Sequence, residues 1–343
     1  MPEIQKWADI KAPFLGGALL LGNGASMAVH SGFGYASLRL AAEQHGHLTS
    51  EVAEIFKSFE TSDFELVLRR LWEATLVNKA LGVEPGKVEE AYRQVRRALI
   101  ATVRQVHISY EDAKQYFEPM SQFMKGFKTV FCLNYDLLVY WAMMASQHPL
   151  GNWFKDCFLG GGQFCEDWEV LRKPYRSEGS TLIFYPHGSL ITARRAADHT
   201  ERKITVGDFS RDLLENILGY WEKGWYVPLF VSEGTSVQKR NSIAGSNYLT
   251  RVYSEVLPRS GDSLVIYGWA AAEQDKHIWT QLCGSNSRLR RAAVSVYGGN
   301  QSGAQEMEDA LKAAGVSEVF FFDAESPGCW IHPLRSNTHE SSS

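Results

Sequence analysis

Four polar segments stand where apolar runs stop. "LLLGNGAS" (residues 19–26) ends in Gly22, Asn23, Gly24, Ala25 and Ser26, and "FCLNYDLL" (131–138) places Asn134 and Asp136 two residues apart. "YPHGSL" (185–190) sets His187 before Gly188, and "SLVIYGWAAAEQDKHI" (263–278) ends a fourth run in Gly268, Trp269 and Ala270 before reaching Asp275 and His277. Glycines that bare backbone N–H groups at the start of a helix can cradle phosphate. The same pair is equally a plain turn, and Met27 stands where the dinucleotide fingerprint G-x-G-x-x-G has its third glycine. Asn134 or Asp136 suits the cap of a following helix, and a lone histidine after a strand is more often structural than chemical. Three such ends together point to a ligand site, because ligands of open α/β sheets gather at the carboxyl ends of strands. Asp275 and His277 read equally as residues that cap and line the next helix.

The elements that must position these residues are short apolar, partly β-branched runs: 18–21, 129–133, 181–185, 227–231, 263–267, 293–297 and 319–322. Continuous rather than alternating hydrophobicity belongs to strands covered on both faces, so these read as a largely parallel sheet. Between them lie helical stripes, such as Leu213, Leu214, Ile217, Leu218 and Trp221, and Leu249, Val252, Tyr253, Val256 and Leu257. The alternation predicts an α/β fold, Rossmann-like and doubly wound, with a mostly parallel sheet. About a hundred residues separate the first two strands, more than a crossover needs. They carry stripes at Phe64, Val67, Leu68 and Leu71 and at Val88, Ala91, Val95, Ala98 and Leu99. Residues 38–125 therefore read as a helical insertion after the first strand, 1–37 and 126–333 as the sheet domain, and 334–343 as a loose C-terminal tail. The stretch 151–180, with Gly160, Gly161 and Gly162, reads as an irregular loop, either a surface connection or a place where backbone approaches a ligand.

Composition narrows the functional classes. A net charge of −4, with only short basic clusters at Arg194–Arg195 and Arg288–Arg291, is no footprint for a phosphate-backbone binder, so nucleic acid is unlikely as a partner of this chain alone. Five cysteines without a C-x-x-C pair suggest neither a disulfide framework nor a cysteine-rich zinc site, and ten histidines include no H-E-x-x-H, so no metal is expected. No run reaches the length of a membrane span or of a signal core, and the expected setting is a reducing cytoplasm.

The ordered set resembles the sirtuin (Sir2) superfamily, in particular SIR2-like proteins of bacterial defence systems, and most closely the bacterial family DUF4917. Sirtuins carry G-A-G-x-S after the first strand, T-Q-N-x-D after a later one, and a catalytic His followed by Gly. The counterparts are Gly22, Gly24 and Ser26, then Asn134 and Asp136, then His187 and Gly188. The likeness spans residues 15–300, and either Gly234–Ser236, within "FVSEGTSVQKRNSIAGSNYL", or Gly268–Ala270 takes the place of the G-T-S turn on the cofactor ribose, the second being preferred. A four-cysteine zinc module is missing, and "HSGFGYASL" (30–38) replaces the G-I-P-D-F-R loop, its Phe33 either covering the nicotinamide end of a ligand or anchoring the core. These departures argue against deacetylation of an acyl-lysine peptide and leave NAD⁺ plus water as the simpler chemistry.

The resemblance implies an NAD⁺ glycohydrolase releasing nicotinamide and ADP-ribose, with NAD⁺ as substrate and an anti-phage role. The rival readings are a protein ADP-ribosyltransferase and a non-catalytic NAD or ADP-ribose sensor. His187 is the expected general base, with an unperturbed pKa of about 6.5. Asn134 is expected to orient the attacking water or ribose hydroxyls, and Asp136 to support it. Gly22, Asn23, Gly24, Ala25 and Ser26 are expected to hold the pyrophosphate through backbone N–H groups and the Ser26 hydroxyl, with Phe33, Gly268, Trp269 and Asp275 as further cofactor contacts. An enzyme of this kind must stay idle until infection, so an activating protein partner or an inhibited homo-oligomer is expected, with the helical insertion as the candidate for control.

Overall fold

The computed structural model describes residues 1–34, 37–84, 86–146, 152–204, 212–231 and 233–334. Of the expected tail, 335–343 lie outside the described residues. The strands in chain order are β1 (Ile4–Gln5), β2 (Ala18–Leu21), β3 (Thr129–Cys132), β4 (Phe154–Lys155), β5 (Thr181–Phe184), β6 (Gly188–Arg195), β7 (Glu201–Lys203), β8 (Tyr226–Phe230), β9 (Ser263–Tyr267), β10 (Arg291–Val296) and β11 (Glu318–Asp323). Strands β2, β3, β5 and β9 are buried along their whole length, as helices on both faces require.

Eight strands form one sheet in the order β1-β11-β10-β9-β2-β3-β5-β4, and every pairing in it is parallel. The run β5-β3-β2-β9-β10-β11 is the doubly wound order: the chain starts at β2, builds outward through β3 and β5, then returns to the other flank of β2 as β9. The strand order reverses between β2 and β9. The crevice beyond their carboxyl ends is where such a fold receives a ligand, and the segments after β2, β3, β5 and β9 are those that carry the polar residues singled out above.

The run 227–231 does form a strand, but not in the main sheet. β8 pairs antiparallel with β6, which pairs antiparallel with β7 in a second, three-stranded sheet. The turn at His187–Gly188 leads from β5 straight into β6 with no helix between, and parallel pairing needs a crossover. An apolar run alone does not reveal which partner it will find.

Between β2 and β3 the chain is helical: Leu38–Gln44, Ser50–Ser58, Phe64–Ala80, Gly86–Val106, Tyr110–Ala113 and Phe117–Met124. Ser37, Thr49, Asp63 and Ser109 cap four of these by accepting N–H groups of the first turn. Phe56, Phe64, Val67, Leu68, Val95 and Leu99 are buried in the same continuous core as the strands. The stripe at Leu213–Trp221 lies on the helix Leu213–Glu222. The stripe from Leu249 begins on the helix Asn247–Arg251 and widens into a π-helical turn at Val252–Val256. From that turn Tyr253 donates to the His277 carbonyl at 3.2 Å. In the 152–180 stretch, Gly162 does admit a close backbone approach, but by β7: Lys203 N–H donates to the Gly162 carbonyl at 2.7 Å.

Candidate functional site

The turns after β2 and β9 pack directly on one another. The Gly24 N–H donates to the Gly268 carbonyl at 2.7 Å, the Gly22 N–H to the Tyr267 carbonyl at 3.0 Å, and the Ala25 N–H to the Gly22 carbonyl at 2.9 Å. A β-carbon on Gly24 would lie 2.8 Å from the Gly268 α-carbon, and one on Gly268, whose φ is +66°, would lie 2.4 Å from the Ala25 nitrogen. The glycines are therefore required by backbone-to-backbone packing. This corrects the expectation that Gly22 and Gly24 offer free N–H groups to a pyrophosphate, since both are engaged inside the fold. Asn23 turns its side-chain amide to the Phe33 carbonyl at 3.1 Å, and the indole of Trp330 donates to the Ala25 carbonyl at 2.8 Å.

Asn134 joins the end of β3 to this turn. Its amide nitrogen donates to the Gly22 carbonyl at 2.9 Å and to Ser26 Oγ at 2.7 Å; the carbonyl partner fixes which way the amide faces. Ser26 in turn donates to Asp136 Oδ2 at 2.5 Å, and Asp136 Oδ1 accepts the Leu138 N–H at 2.9 Å. All three side chains are buried, so Ser26 is occupied by Asn134 and Asp136 rather than presented to a phosphate. Burial pushes the Asp136 carboxyl above its ordinary value, against the pull of nearby His107 and the Ser26 hydroxyl. His107 Nε2 accepts the Leu137 N–H at 3.1 Å, which places its proton on Nδ1, 2.8 Å from the Ile108 carbonyl. Phe33 is 2% exposed and lies edge-on to His107, with centroids 5.4 Å apart, so the ring is a core anchor in this structure.

His187 leaves β5 at a left-handed Gly188, φ +73°, where any β-carbon would meet the Leu229 carbonyl oxygen of β8. Its carbonyl accepts the Val231 N–H at 2.7 Å. The imidazole is 4% exposed, and its Nε2 lies 2.8 Å from Nε2 of His277. Burial, reinforced by the Lys239 charge, holds His187 well below the ordinary histidine value, so it is neutral at neutral pH rather than poised near 6.5. His277 is likewise lowered by burial, to about 4, with Asp275 pulling the other way.

Asp275 is the hub beside this pair. Its Oδ1 takes Lys239 Nζ at 2.8 Å and its Oδ2 the Trp269 indole N–H at 3.1 Å. Burial alone would raise Asp275, but positive charge and these hydrogen bonds outweigh it and leave the carboxyl below its ordinary value. With His187 neutral, Lys239 supplies that charge. Trp269 itself packs on the glycine turn, since a β-carbon on Gly22 would lie 2.5 Å from Trp269 Cβ. The two networks, Asn134–Ser26–Asp136 and His187–His277–Asp275, thus meet through Trp269, and they meet again where His187 bonds the backbone of Leu133, next to Asn134.

A cavity of about 600 Å³ opens beside the second network, lined by Ser37, Ser62, Glu233, the turn Gly234–Ser236, Lys239 and Gln274 among others. Of the two turns considered for the ribose, Gly234–Ser236 faces this open space, whereas Gly268 is sealed against Gly24. Asn134 and His187 are not in its wall; they form the buried layer behind it. Glu233 Oε1 accepts the Leu38 N–H and, at 3.3 Å, the Arg39 N–H at a helix start, while buried Oε2 has no hydrogen-bond partner. Burial and nearby Asp63 push this carboxyl up to about 8. With its carboxyl held up, Glu233 is a neutral side chain in the cavity wall.

Sequence reasoning missed Glu233, Lys239 and the pairing of His277 with His187. Nothing local marks Glu233 or Lys239, and the spacing D-x-H at Asp275 and His277 was the sole signal for the pair.

The sequence matches the family model described as "Domain of unknown function (DUF4917)" over residues 19–330. No match is found among curated proteins. A solved chain from "Structural Basis for the Mechanism and Regulation of Sir2 Enzymes" superposes with a TM-score of 0.38 and 10% identity, covering 91% of this chain and 89% of that one.

Proposed function

Because the chain belongs to the DUF4917 family, whose description names no activity, we propose a function from the site itself: binding of NAD⁺ and hydrolysis of its nicotinamide–ribose bond. The observation that carries this reading is that Asn134, after β3, reaches the turn after β2 while His187, after β5, reaches His277 beyond β9, β2 and β9 being the two strands between which the order reverses. The order of these motifs along the chain, which resembles that of sirtuins, supports the choice of dinucleotide.

In the reaction the bond from the ribose carbon to the nicotinamide nitrogen breaks, and nicotinamide departs as a neutral base. Water adds to the same carbon and releases one proton. Little acid help is needed, so the protein's work is to hold the substrate and remove that proton. His187, kept neutral by burial, is available to accept it. Asn134, held rigidly by Gly22 and Ser26, orients the attacking water or the ribose hydroxyls through its amide oxygen. Asp136 acts from behind by fixing Ser26. The cavity at Gly234–Ser236 is the proposed entry for the dinucleotide, with hydroxyls of Ser37 and Ser62 and the neutral Glu233 as polar partners that do not repel its phosphates.

The test is a turnover assay with separation of nicotinamide and ADP-ribose, run beside His187→Ala. Binding of NAD⁺ without consumption, with any activator tried, would replace hydrolysis by a sensor role. The burial of His187 and Asn134, 4% and 9% exposed, favours keeping that second reading, since reaction requires the layer above them to open. A mass shift on a partner protein in place of free ADP-ribose would select ADP-ribosyl transfer. A defence role, with a partner or an oligomer holding the enzyme idle, rests on the likeness to SIR2-like defence proteins and is read out as NAD⁺ loss in phage-challenged bacteria expressing the chain.

A further inference from the structure

His187 and His277 come from opposite sides of the site, one from the turn after β5 and one from the helix Lys276–Leu282. Their Nε2 atoms are 2.8 Å apart and their ring centroids 5.0 Å apart. The difference leaves 1.1 Å on each side, the radius of an imidazole ring, so both nitrogens lie on the line joining the ring centres. The planes are 27° apart. The rings therefore meet head-on, each Nε2 aimed at the other.

Two bare nitrogen lone pairs repel at this distance and two N–H groups collide, so one proton must sit between them. The same geometry speaks against a shared metal, although Asp275 brings a carboxylate oxygen within 4.8 Å of a nitrogen of each ring. Two imidazoles on tetrahedral zinc, with bonds of about 2.0–2.1 Å, hold their nitrogens roughly 3.3 Å apart and aim both lone pairs at the ion. Here they are closer and aim at each other. Both oxygens of Asp275 are moreover taken, by Lys239 and by Trp269, and the Lys239 ammonium opposes a second cation.

Beyond His277 the line continues. Ser236 Oγ accepts the His277 backbone N–H at 2.9 Å and lies 3.4 Å from His277 Nδ1. Ser236 is in the cavity wall. We propose that His277 is the proton partner of His187: the two rings share one proton along the Nε2–Nε2 line, which fixes the tautomer of His187, and Ser236 connects the pair to the cavity.

This rests on the proposed function for its catalytic consequence but not for the shared proton itself. Nδ1 of His187 is turned to the Leu133 carbonyl, so in the neutral pair the shared proton is donated by Nε2 of His277 to Nε2 of His187, and Nδ1 of His277 lies toward the Ser236 hydroxyl. The pair then holds one proton on the line between the rings and no net charge among these buried groups. His277 touches no reacting atom; it is a positioning residue that acts through His187.

The test is nitrogen-15 NMR of labelled histidines in the full chain, joined to nicotinamide-release kinetics. In the wild type, one of the two Nε2 atoms is expected to be protonated and the other bare. His277→Ala should move His187 to the tautomer average of a free imidazole, while His277→Gln, which keeps a donor amide at similar reach, should preserve the fixed state. The Ala variant should lose about ten- to a hundredfold in kcat with KM for NAD⁺ unchanged, and the Gln variant should recover most of it. Ser236→Ala, which keeps both rings, should shift His277 Nδ1 and leave the Nε2 pair intact. Unchanged His187 shifts in the Ala variant would overturn the proposal, as would shifts that move on addition of zinc or EDTA. A wild type that turns over no NAD⁺ but shows the paired tautomers would defeat the proposed function and leave the shared proton standing.

Discussion

Glu233 offers a quantitative test of the cavity's electrostatics, because glutamine at this position reproduces the protonated carboxyl without changing its shape. The folded protein holds Glu233 at about 8, against 4.5 for the unfolded chain. Below the lower value both states are protonated and the group contributes nothing against folding. As pH rises from there, the unfolded chain releases a proton that the folded chain retains, so stability falls until the folded pKa is passed. Each pH unit in that window is worth about 1.4 kcal/mol, which sets a ceiling of about 5 kcal/mol for the whole interval. Relaxation of the buried carboxyl reduces this, and a difference of about 2–5 kcal/mol is the working expectation.

Urea unfolding of the wild type and Glu233→Gln at pH 4.5, 6 and 8 makes the measurement. The two proteins should be equally stable at the lowest pH, and the variant should pull ahead as pH rises. Glu65, also pushed up to about 8 by burial and by Asp63, and Asp63, raised to about 6 by burial, titrate in both proteins and largely cancel in the comparison. A difference that stays constant across the range would show that Glu233 is ionised in the fold, and the account of a neutral carboxyl in the cavity wall would be wrong.

Other outcomes follow from the same structure. His187→Ala should lower nicotinamide release by about 10²- to 10⁴-fold. Since burial holds His187 well below the ordinary value, the acid limb of kcat/KM in the wild type should fall below pH 6.5. Asn134→Ala should abolish turnover and also lower stability by about 1–3 kcal/mol, seen in urea titrations, because it strips a donor from the buried Gly22 carbonyl and Ser26 hydroxyl. Gly268→Ala should be far costlier than Gly46→Ala in a thermal melt. Both glycines have positive φ, +66° and +72°, but the first drives its β-carbon into the Gly24–Ala25 backbone whereas the second has no neighbour within 4 Å and costs only about 1 kcal/mol.

Much of the fold was legible because burial on both faces leaves a plain mark: the runs at 18–21, 129–133, 181–185 and 263–267 became four adjacent strands of the parallel sheet. The mark fails where pairing, not burial, decides. β8 carries as apolar a run as β9, yet joins the small antiparallel sheet, and its partner β6 mixes Ser189, Thr192, Arg194 and Arg195 with apolar residues and gave no comparable signal. Among the site residues, strand ends were readable as places, and Asn134, Asp136 and His187 do lie there. Partners were not readable: that Ser26 closes on Asp136, that Glu233 reaches the helix start at Leu38, and that His277 meets His187 are contacts across 90 to 195 residues of chain.

The glycine turn shows why residue type and residue role separate. A turn short of side chains serves equally for a phosphate to approach or for another backbone to approach, since both need the space a β-carbon would fill. Here the space around Gly22, Gly24 and Gly268 is filled by the two turns themselves, and the N–H groups of Gly22, Gly24 and Ala25 close hydrogen bonds within and between the strand ends and turns. The consequence is rigidity at the point where strand order reverses. Asn134 is anchored to that block through Gly22 and Ser26, and Trp269, which packs on it, carries Asp275 and so reaches Lys239 and the histidine pair. One layer outward, Ser236, Lys239 and Glu233 line the cavity, each held from behind by His277, Asp275 and the helix start at Leu38 respectively. A ligand entering there meets these side chains first, with Asn134 and His187 buried behind them. In the proposed reaction, the tautomer of His187 is then set by its buried partner His277 rather than by the ligand.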